Sequence, residues 1–513
     1  MRHQQSDTNN SKPIIILALL LITILQGCRT LAPIHLTEEL ASPPPTSELW
    51  TEVSQMREGD WTALLNTGDM AFDWRLRAID SATETVDLQT FLWFDDQIGL
   101  AMLHHLFLAA DRGVRVRILL DDSFTSAYAD AIWMIDHHPN IEFRIYNPYS
   151  IRNDNMVLRS ILNLGDFKRV NHRMHNKSLI IDNRAAIVGG RNIADEYFGW
   201  HSQANFRDLE LLCYGEIVQQ ISQHFDSFWN DEWSYPEAFV NKHVNLEATS
   251  DNYAEWVATN TTRHLDETAN TRRMAWTALT ENAIRADFRI LADKPAGDNE
   301  GTFESSGATI LSSELVELID QAKKELIMVS AYLIPTEELA AAIARAEARG
   351  VDVRILTNSM RSNNHLAAHS AYRHHTRQLI ESGANVHEVR IFAKDRNIYM
   401  QSPVDTKHLG LHAKFMLIDD TLAIIGSANL DPRSLVLNTE MNLVVESAEL
   451  NGHLREFIRV DFDQRNAWDL QLQPDGSLHW VADDEVHTSQ PANSAIQRIE
   501  NWILSAMPIE REM

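Results

Sequence analysis

The residues best suited to chemistry occur as two copies of one pattern: a histidine, a lysine two positions later and an aspartate five positions after the lysine. The two copies are His175, Lys177, Asp182 and His412, Lys414, Asp419. A glycine or serine and then an asparagine follow each aspartate at matching distances, namely Gly190, Asn192 and Ser427, Asn429. One copy alone is usually a solvated strand face, but two complete copies in register indicate an active site.

Alternate residues of a β-strand point to the same face, so each histidine is predicted to lie beside its lysine. If two halves of the chain pack face to face, the histidines, lysines and asparagines converge on one pocket. Such a pocket suits a phosphodiester: one imidazole attacks phosphorus and forms a phosphohistidine, the other protonates the leaving oxygen, and the lysines and amides hold the remaining oxygens. Gly190 and Ser427 are predicted to lie against the substrate. The lysines supply the positive charge, so no metal and no cofactor is expected.

The segments that must position these residues are also repeated. Residues 112–119 read RGVRVRIL and residues 349–356 read RGVDVRIL, separated by the same 237 positions as the two histidines. In each half an apolar run, a helical stretch closed by the Arg-Gly pair and a β-branched run follow one another. We therefore predict an α/β fold of two duplicated lobes, each a mixed sheet flanked by helices, related by a pseudo-two-fold axis with the active site at their interface.

These patterns divide the chain into six predicted parts. They are a lipoprotein signal peptide at 1–28, a tether at 29–55, a first lobe at 56–240, a connecting segment at 241–305, a second lobe at 306–475 and a C-terminal extension at 476–513. The tether is rich in proline and is expected to be extended. The C-terminal extension carries apolar residues at helical spacing, which either pack on the second lobe or lie on a bilayer.

The composition restricts the class of protein. The chain has 513 residues, of which 44% are hydrophobic, as is typical of a globular protein of several domains. Its net charge of −27 disfavours a nucleic-acid partner, because such binders gain affinity by neutralising phosphates. Cys28 and Cys213 are the only cysteines in the sequence, which excludes a disulfide framework and a multi-cysteine metal site.

The amino terminus has the features of an export signal. Residues 14–25 form an apolar run that is too short to span a bilayer as a helix, and basic residues precede it. Residues 25–28 read LQGC and resemble the lipobox of bacterial lipoproteins, in which Cys28 would be lipidated and become the mature N-terminus. We expect a membrane-anchored lipoprotein of the bacterial cell envelope that faces the periplasm. The alternative is a plain signal peptide or short anchor with an incidental cysteine.

The duplicated pattern resembles the signature of the phospholipase D superfamily, His-x-Lys-x4-Asp-x6-Gly-[Gly/Ser]-x-Asn, which both copies match in full. The resemblance covers about residues 60–470. It implies that Asp182 and Asp419, although part of the catalytic signature, mainly organise the motif loops.

The same resemblance implies that a later carboxylate of each half orients the histidine. That carboxylate would be Asp208 in the first half and Glu440 in the second. A carboxylate that accepts from one ring nitrogen fixes the tautomer and makes the other nitrogen more basic. By the family pattern His175 is the nucleophile and His412 the general acid, although the sequence itself treats the two histidines alike.

Finer matches are similar to the C-type branch of bacterial cardiolipin synthases. They include residues 89–93 (QTFLW), 120–125 (LDDSFT), 171–177 (NHRMHNK) and 429–434 (NLDPRS), whereas Asn364 replaces an expected aspartate. The resemblance implies phosphatidyl transfer to phosphatidylglycerol at a membrane, with phosphatidylglycerol or phosphatidylethanolamine as donor and an accessory protein left open. The alternatives are a phospholipase D that uses water, a phosphodiesterase or nuclease of the same superfamily, and a non-enzymatic binding protein.

Overall fold

The computed structural model describes residues 31–240, 249–295 and 310–505, which form two α/β lobes. The helices of the first part of the chain are α1 Glu48–Met56, α2 Gly68–Ser81, α3 Gln97–Asp111, α4 Ala129–Asp136, α5 Met156–Leu162, α6 Phe167–Asn171, α7 Glu216–Trp229, α8 Glu237–Val240, α9 Ser250–Asn260 and α10 Ala269–Glu281. The strands of this part are β1 Trp61–Leu65, β2 Thr85–Thr90, β3 Arg115–Asp121, β4 Ile141–Tyr146, β5 Ser178–Ile181, β6 Ala185–Gly189, β7 Ala204–Arg207, β8 Glu210–Tyr214, β9 Ser234–Pro236 and β10 Ile284–Arg285.

The second part of the chain repeats this alternation. Its helices are α11 Ile310–Asp320, α12 Glu337–Ala348, α13 Leu366–Glu381, α14 Ala448–Asp461 and α15 Ala495–Ser505. Its strands are β11 Asp287–Ala292, β12 Glu325–Val329, β13 Asp352–Asn358, β14 Asn385–Val389, β15 His408–Leu411, β16 Phe415–Ile418, β17 Leu422–Gly426, β18 Met441–Glu446, β19 Ala467–Leu472, β20 Leu478–Val481 and β21 Val486–His487.

The two large sheets share one topology. The first has the strand order β10-β1-β8-β6-β5-β2-β3-β4-β9, and the second has the order β11-β18-β17-β16-β12-β13-β14-β19-β20-β21. Eight neighbouring strands of one sheet therefore correspond in position to eight neighbouring strands of the other, beginning with β1 and β11 and ending with β9 and β19. Both sheets are mixed, since β2, β3 and β4 pair in parallel, as do β12, β13 and β14, whereas β5 and β16 pair antiparallel to their neighbours. The predicted α/β duplication is confirmed.

The sheets face each other across a shared core. On β3, Ile118 packs into an outer core with α2 and α3, whereas the adjacent Leu119 packs into a central core. On β13, Ile355 and Leu356 divide in the same way between a second outer core and that central core. The central core also contains apolar residues of α7 and α14, so it joins the lobes. Successive residues of these strands are buried in different cores on the two faces of the sheet. Both faces are therefore covered, which explains why the strand sequences are nearly continuous apolar runs.

The Arg-Gly pairs end their helices as predicted. Gly113 follows α3 with φ 91°, and Gly350 follows α12 with φ 85°. This left-handed conformation lets the chain leave the helix and enter the next strand at once.

Three predicted boundaries differ from the structure. The connecting segment contains α9, α10 and strands of both sheets, so the second lobe begins with β11 rather than at residue 306. The C-terminal extension likewise contributes β20 and β21 to the second sheet. The predicted tether lies against the first lobe, where Glu39 N donates to Asn230 Oδ1 at 2.9 Å, and it ends in α1. Trp50 of α1 is buried and donates to Asp182, which fixes this helix to the lobe.

The signal peptide and Cys28 lie outside the described residues. Across the ranges that the structure describes, no helix combines the length and the apolar character needed to cross a membrane.

Candidate active site

Both histidines lie where the lobes meet. The His175 backbone N–H donates to Thr439 O at 2.9 Å, and the His412 N–H donates to Arg207 O at 2.8 Å. Each His-x-Lys triplet is extended but precedes its strand, β5 or β16, instead of lying in the sheet as predicted. The N–H groups of both histidines, and that of Ala413, donate to the other lobe, whereas Lys414 O accepts from Gly426 N of its own lobe at 3.2 Å. On the Arg207 side, β7 and β15 also form a parallel two-stranded sheet between the lobes.

Each histidine is held by a carboxylate of the opposite lobe. His175 Nδ1 lies 2.9 Å from Glu440 Oε2, and His412 Nδ1 lies 2.7 Å from Asp208 Oδ2. The expected pairing within each half is therefore wrong, although the two carboxylates themselves are the predicted ones. The cause is the interface just described, because Thr439 and Arg207 directly precede these carboxylates and are bonded to the opposite histidine.

The two residues predicted to contact the substrate, Gly190 and Ser427, lie against the two carboxylates. Ser427 Oγ donates to Glu440 Oε2 at 2.5 Å and accepts from Met441 N at 3.0 Å. A Cβ atom at Gly190 would lie 2.4 Å from Asp208 Oδ1, so only glycine lets that carboxylate approach. These equivalent positions therefore lie against the carboxylates that hold the histidines, and contact of Gly190 and Ser427 with the substrate stays a prediction.

The two lysines are buried beside the histidines. Lys177 Nζ donates to His175 O at 2.6 Å, and Lys414 Nζ donates in the same way to His412 O. Burial lowers the pKa of Lys177 to about 7 and that of Lys414 to about 8, and the nearby carboxylates Glu440 and Asp208 oppose this shift. The lysines therefore lose their charge close to neutral pH.

The two carboxylates differ in their ionisation. Burial raises the pKa of Glu440 to about 7, only partly offset by the charge of Lys177 and the Ser427 hydrogen bond. Burial also acts to raise the pKa of Asp208, but the hydrogen bond and charge of His412 and the charge of Lys414 lower it well below its usual range. At neutral pH Asp208 is fully ionised, whereas Glu440 is divided between its two forms.

Both imidazoles are neutral in the free protein. Burial and the charge of Lys414 together lower the pKa of His412 to about 3, against the opposing effect of Asp208. Burial and the charges of Lys177 and Lys414 lower the pKa of His175 well below its ordinary value. A neutral imidazole whose Nδ1 donates to a carboxylate keeps the Nε2 lone pair for attack or proton abstraction.

The two motif aspartates lie away from the histidines. Asp182 follows the far end of β5 and accepts from the backbone N–H groups of residues 83–85 and from Trp50 Nε1. Asp419 follows β16 and accepts from the backbone N–H groups of residues 323–325. Each aspartate fixes the loop that leads into β2 or β12, as the resemblance implied, and neither touches the site.

The two motif asparagines, Asn192 and Asn429, are buried. The amide oxygens of Asn192 and Asn429 have no hydrogen-bond partner among the described residues. Asn192 is hydrogen-bonded to Tyr197, whose ring lies edge-on to His412 with centroids 4.9 Å apart. The structure thus brings Asn192 into the site and leaves an acceptor there for a substrate hydroxyl.

Sequence reasoning missed several site residues. The ring of Phe91 lies edge-on to His175 with centroids 5.0 Å apart, and Lys177 Nζ lies 5.5 Å from the same ring. Asp121 Oδ2 accepts from Met174 N, directly before the first histidine. Asn358 Oδ1 accepts from Leu411 N, directly before the second. The 237-residue offset relates Asp121 to Asn358 and could have identified this pair.

No group of three histidine, cysteine, aspartate or glutamate side chains within the described ranges is arranged to hold a metal ion. The charges of Lys177 and Lys414 act on both histidines, and that of Arg433 also acts on His175. Lysine ammonium groups can hold phosphate oxygens as point charges.

Comparison with known proteins was made by sequence and by structure. The family model described as "Cardiolipin synthase, PLD-like domain" matches residues 76–229 and 315–461. Cardiolipin synthase C of Escherichia coli K12 is 32% identical over 461 residues, covering 86% of this chain and 93% of that protein. Cardiolipin synthase B of Salmonella typhi is 28% identical over 402 residues, covering 78% and 80%.

Among solved structures, the phosphatidylserine synthase of Haemophilus influenzae Rd KW20 superposes with a TM-score of 0.58. The match covers 90% of this chain and 100% of that chain at 14% identity. At this identity the likeness shows a common fold.

Proposed function

Because the chain belongs to the family described as cardiolipin synthase with a phospholipase D-like domain, we propose that it makes cardiolipin. It is a phosphatidyltransferase of the phospholipase D type that acts on phospholipids. The acceptor in our proposal is the terminal hydroxyl of phosphatidylglycerol, and the donor is phosphatidylglycerol or phosphatidylethanolamine.

The observation that carries the proposal is the crossed pairing of histidines and carboxylates. Each Nδ1 is held by a carboxylate of the opposite lobe, 2.9 Å away at His175 and 2.7 Å away at His412. Both imidazoles thereby have a fixed tautomer and present Nε2 for chemistry. Two such imidazoles and two buried lysines at one interface match a two-step displacement at phosphorus.

In the first step, the Nε2 atom of His175 attacks the phosphorus of the donor lipid. His412 is neutral in the free protein and takes up a proton on Nε2 when the anionic phosphodiester binds beside it. A P–N bond then forms, the P–O bond to the donor's headgroup alcohol breaks, and His412 delivers this proton to the departing oxygen. Lys177 and Lys414 neutralise the charge on the non-bridging oxygens.

In the second step, neutral His412 takes the proton of the acceptor hydroxyl, whose oxygen attacks phosphorus. The P–N bond breaks, His175 is released and the new diester is cardiolipin. If water replaces the acceptor lipid, the same steps give phosphatidic acid, so hydrolysis competes with transfer at this site.

The ionisation of the carboxylates supports these roles. A general acid must carry a proton on Nε2 before it can release it, and the ionised Asp208 stabilises the imidazolium form of His412. Glu440 is the less ionised carboxylate and favours a neutral His175, the form required of a nucleophile.

We further propose that Cys28 carries a lipid anchor and that the enzyme faces the periplasm on a membrane of the bacterial envelope. The apolar run at residues 14–25 and the LQGC sequence support this assignment. Such an anchor keeps the site at the surface that contains its substrates. No described feature assigns an accessory protein.

The test is lipid analysis of a bacterial strain that lacks cardiolipin and expresses this chain. We expect cardiolipin to appear with the wild-type chain and to be absent with His175→Ala or His412→Ala. His453→Ala is the matched control, because this histidine is exposed on α14, and it should produce wild-type amounts.

The products separate the candidate activities. Accumulation of phosphatidic acid without cardiolipin would identify a hydrolase, and cleavage of DNA without any change in lipids would identify a nuclease. Either result would contradict the proposed acceptor.

A further inference from the structure

An exposed apolar stripe runs along α5 and α6. Its four residues recur every third position, and their exposed fractions are 44% for Leu158, 57% for Ile161, 63% for Leu164 and 44% for Phe167. A soluble surface rarely leaves such large apolar side chains side by side in water. The stripe therefore fits a partner that is itself apolar.

A second exposed apolar surface lies on α15, the last described helix. Ile496 is 67% exposed and Ile499 is 58% exposed, although they lie one helical turn apart in a strongly amphipathic sequence. The helix packs through other positions, since buried Asn501 lies beside His369 of α13 at 3.3 Å. The two isoleucines are left facing outward.

Both surfaces lie at equivalent places in the two lobes. On α5, Arg159 donates to the backbone of Ser123, directly after β3, whose last residue Asp121 holds the backbone before His175. On α15, Gln497 donates to the backbone of Met360, directly after β13. The last residue of β13, Asn358, holds the backbone before His412 in the same way. Each apolar segment is therefore joined by a hydrogen bond to the loop after the strand that holds one histidine's backbone, and the two segments occupy corresponding positions in the two lobes.

The charge of these segments differs from that of the whole protein. Residues 156–171 contain three basic side chains and one acidic side chain, and α15 carries one of each, on a chain of net charge −27. Of the three basic side chains, Arg159 and Arg169 are buried, and Arg169 is paired with the acidic Asp166. An acidic protein is repelled by an anionic bilayer except through segments without net negative charge. These two segments meet that condition.

We propose that these two surfaces form a membrane-docking face whose occupant is a bilayer containing anionic phospholipids. The docking face consists of Leu158, Ile161, Leu164, Phe167, Ile496 and Ile499. Its side chains enter the boundary between headgroups and acyl chains, so that a lipid headgroup reaches the histidines while its chains stay in the bilayer. The inference rests on the proposed function, because only a lipid substrate requires this placement.

The first experiment measures contact with lipid directly. In the full chain with Cys28→Ser, one environment-sensitive fluorophore is placed at Leu164→Cys, since Cys213 is buried and does not compete. Vesicles contain phosphatidylglycerol and phosphatidylcholine with brominated acyl chains, which quench a fluorophore inserted among them. We expect at least a twofold loss of emission relative to unbrominated vesicles.

The matched control carries the fluorophore at Met274→Cys. Met274 is also 63% exposed, but it lies on α10, which packs against α1 and α2: Trp276 of this helix contacts Trp50 and donates to Ser81. Its emission should be unaffected by the brominated lipid. Equal quenching at both positions, or none at Leu164, would overturn the proposal, as would protection of Leu164 by a second copy of the chain in lipid-free solution.

The second experiment compares two forms of substrate. For Leu164→Glu with Phe167→Glu, the rate on phosphatidylglycerol vesicles should fall at least tenfold more than the rate on monomeric short-chain phosphatidylglycerol, because only vesicles require docking. Met274→Glu should leave the rates on vesicles and on the monomeric substrate unchanged. Equal losses on both substrates would show a defect within the site and contradict docking. If the wild type transfers no phosphatidyl group to either substrate, the proposed function fails while the quenching result still decides the docking face.

Discussion

At the scale of residues, the chemistry depends on side chains that are distant in sequence. Glu440 lies 265 positions after the histidine it orients, and Asp208 lies 204 positions before its own. The two imidazoles differ in the charge of their partners. His412 is bonded to the ionised Asp208, whereas His175 is bonded to Glu440, whose pKa is raised to about 7. A two-step displacement uses this inequality, because its two imidazoles have different tasks.

A substrate that needs no general acid should distinguish the two carboxylates. Asp208→Asn and Glu440→Gln should each lower kcat on a natural phospholipid by about 10²–10⁴, the range of general acid–base contributions. With a phosphatidyl ester of p-nitrophenol, a good leaving group, the first-step rate should recover in Asp208→Asn but not in Glu440→Gln. The measurement is the burst of nitrophenol. Recovery in Glu440→Gln alone would show the reverse assignment of nucleophile and acid.

The lysines predict a pH dependence. Their pKa values of about 7 and 8 mean that both ammonium groups are charged below this window and neutral above it. Because the charged forms hold the phosphate oxygens, kcat/KM should fall as the pH rises through about 7 to 9. The phosphodiester does not ionise in this range, so the loss reports the enzyme. A kcat/KM that stays constant up to pH 9.5 would contradict this role of the lysines.

Most of the site could be predicted from residue types and spacing, because His175, Lys177, His412 and Lys414 recur in register. The crossed pairing could not be predicted, since a repeat is equally compatible with a carboxylate from its own half or from the other. The hydrogen bond from Ser427 to Glu440 could not be predicted either, because the sequence does not distinguish a serine that contacts a phosphate from one that orients a carboxylate.

At the scale of elements, the strands β5 and β16 that follow the histidines are fixed at the ends that lie away from the active site. Asp182 and Asp419 tie the loops before β2 and β12 to the ends of β5 and β16. Each aspartate thereby fixes the central strand β2 or β12 relative to β5 or β16, the strand that follows the histidine in sequence. The motif therefore spans its strand, with the chemistry at one end and the anchoring carboxylate at the other.

Replacement of these aspartates should affect stability more than catalysis. Asp182→Asn should lower the free energy of unfolding by about 3 kcal/mol, because several buried donors lose their acceptor. Asp419→Asn should lower it by only about 1 kcal/mol, since this carboxylate and its partners at Lys323 and Lys324 are partly exposed. Urea unfolding measures both. The folded variants should keep kcat within about threefold, and a hundredfold loss in fully folded protein would return these aspartates to the catalytic set.

The elements themselves were predictable where the two halves repeat. The strands around each motif and the helices ending at Gly113 and Gly350 follow from apolar runs and the Arg-Gly signal. The boundaries were not predictable where the halves diverge. β10 and β21 are two-residue strands at sheet edges, and hydrogen bonds to a neighbouring strand define them rather than their own composition.

At the scale of the whole molecule, the proposed function requires an acidic chain to act on an anionic lipid surface. The net charge of −27 opposes this contact, while the proposed anchor at Cys28 and the docking face favour it. The segment after the predicted anchor lies along the first lobe from residue 31 onward, with Ile34 N bonded to Glu232 O at 2.9 Å. The folded enzyme is thus expected close to the bilayer rather than at the end of a long tether.

Loss of the proposed lipid should therefore alter the location of the enzyme. Cys28→Ala should move a substantial share of the chain from the membrane fraction to the soluble fraction in cell fractionation, because thioether-linked acyl chains would be lost. Cys213→Ala provides the control, since this thiol is buried in the first lobe. Unchanged fractionation of Cys28→Ala would contradict the lipoprotein assignment.

The exchange of carboxylates between the lobes also bears on how such a duplicated chain evolves. A mutation at Glu440 changes the reactivity of the imidazole in the first repeat, and a mutation at Asp208 changes that of the imidazole in the second. Selection therefore cannot adjust one repeat independently of the other. The copies can diverge only as a pair, and an ancestor with a single repeat would have needed two molecules to complete either half of its site.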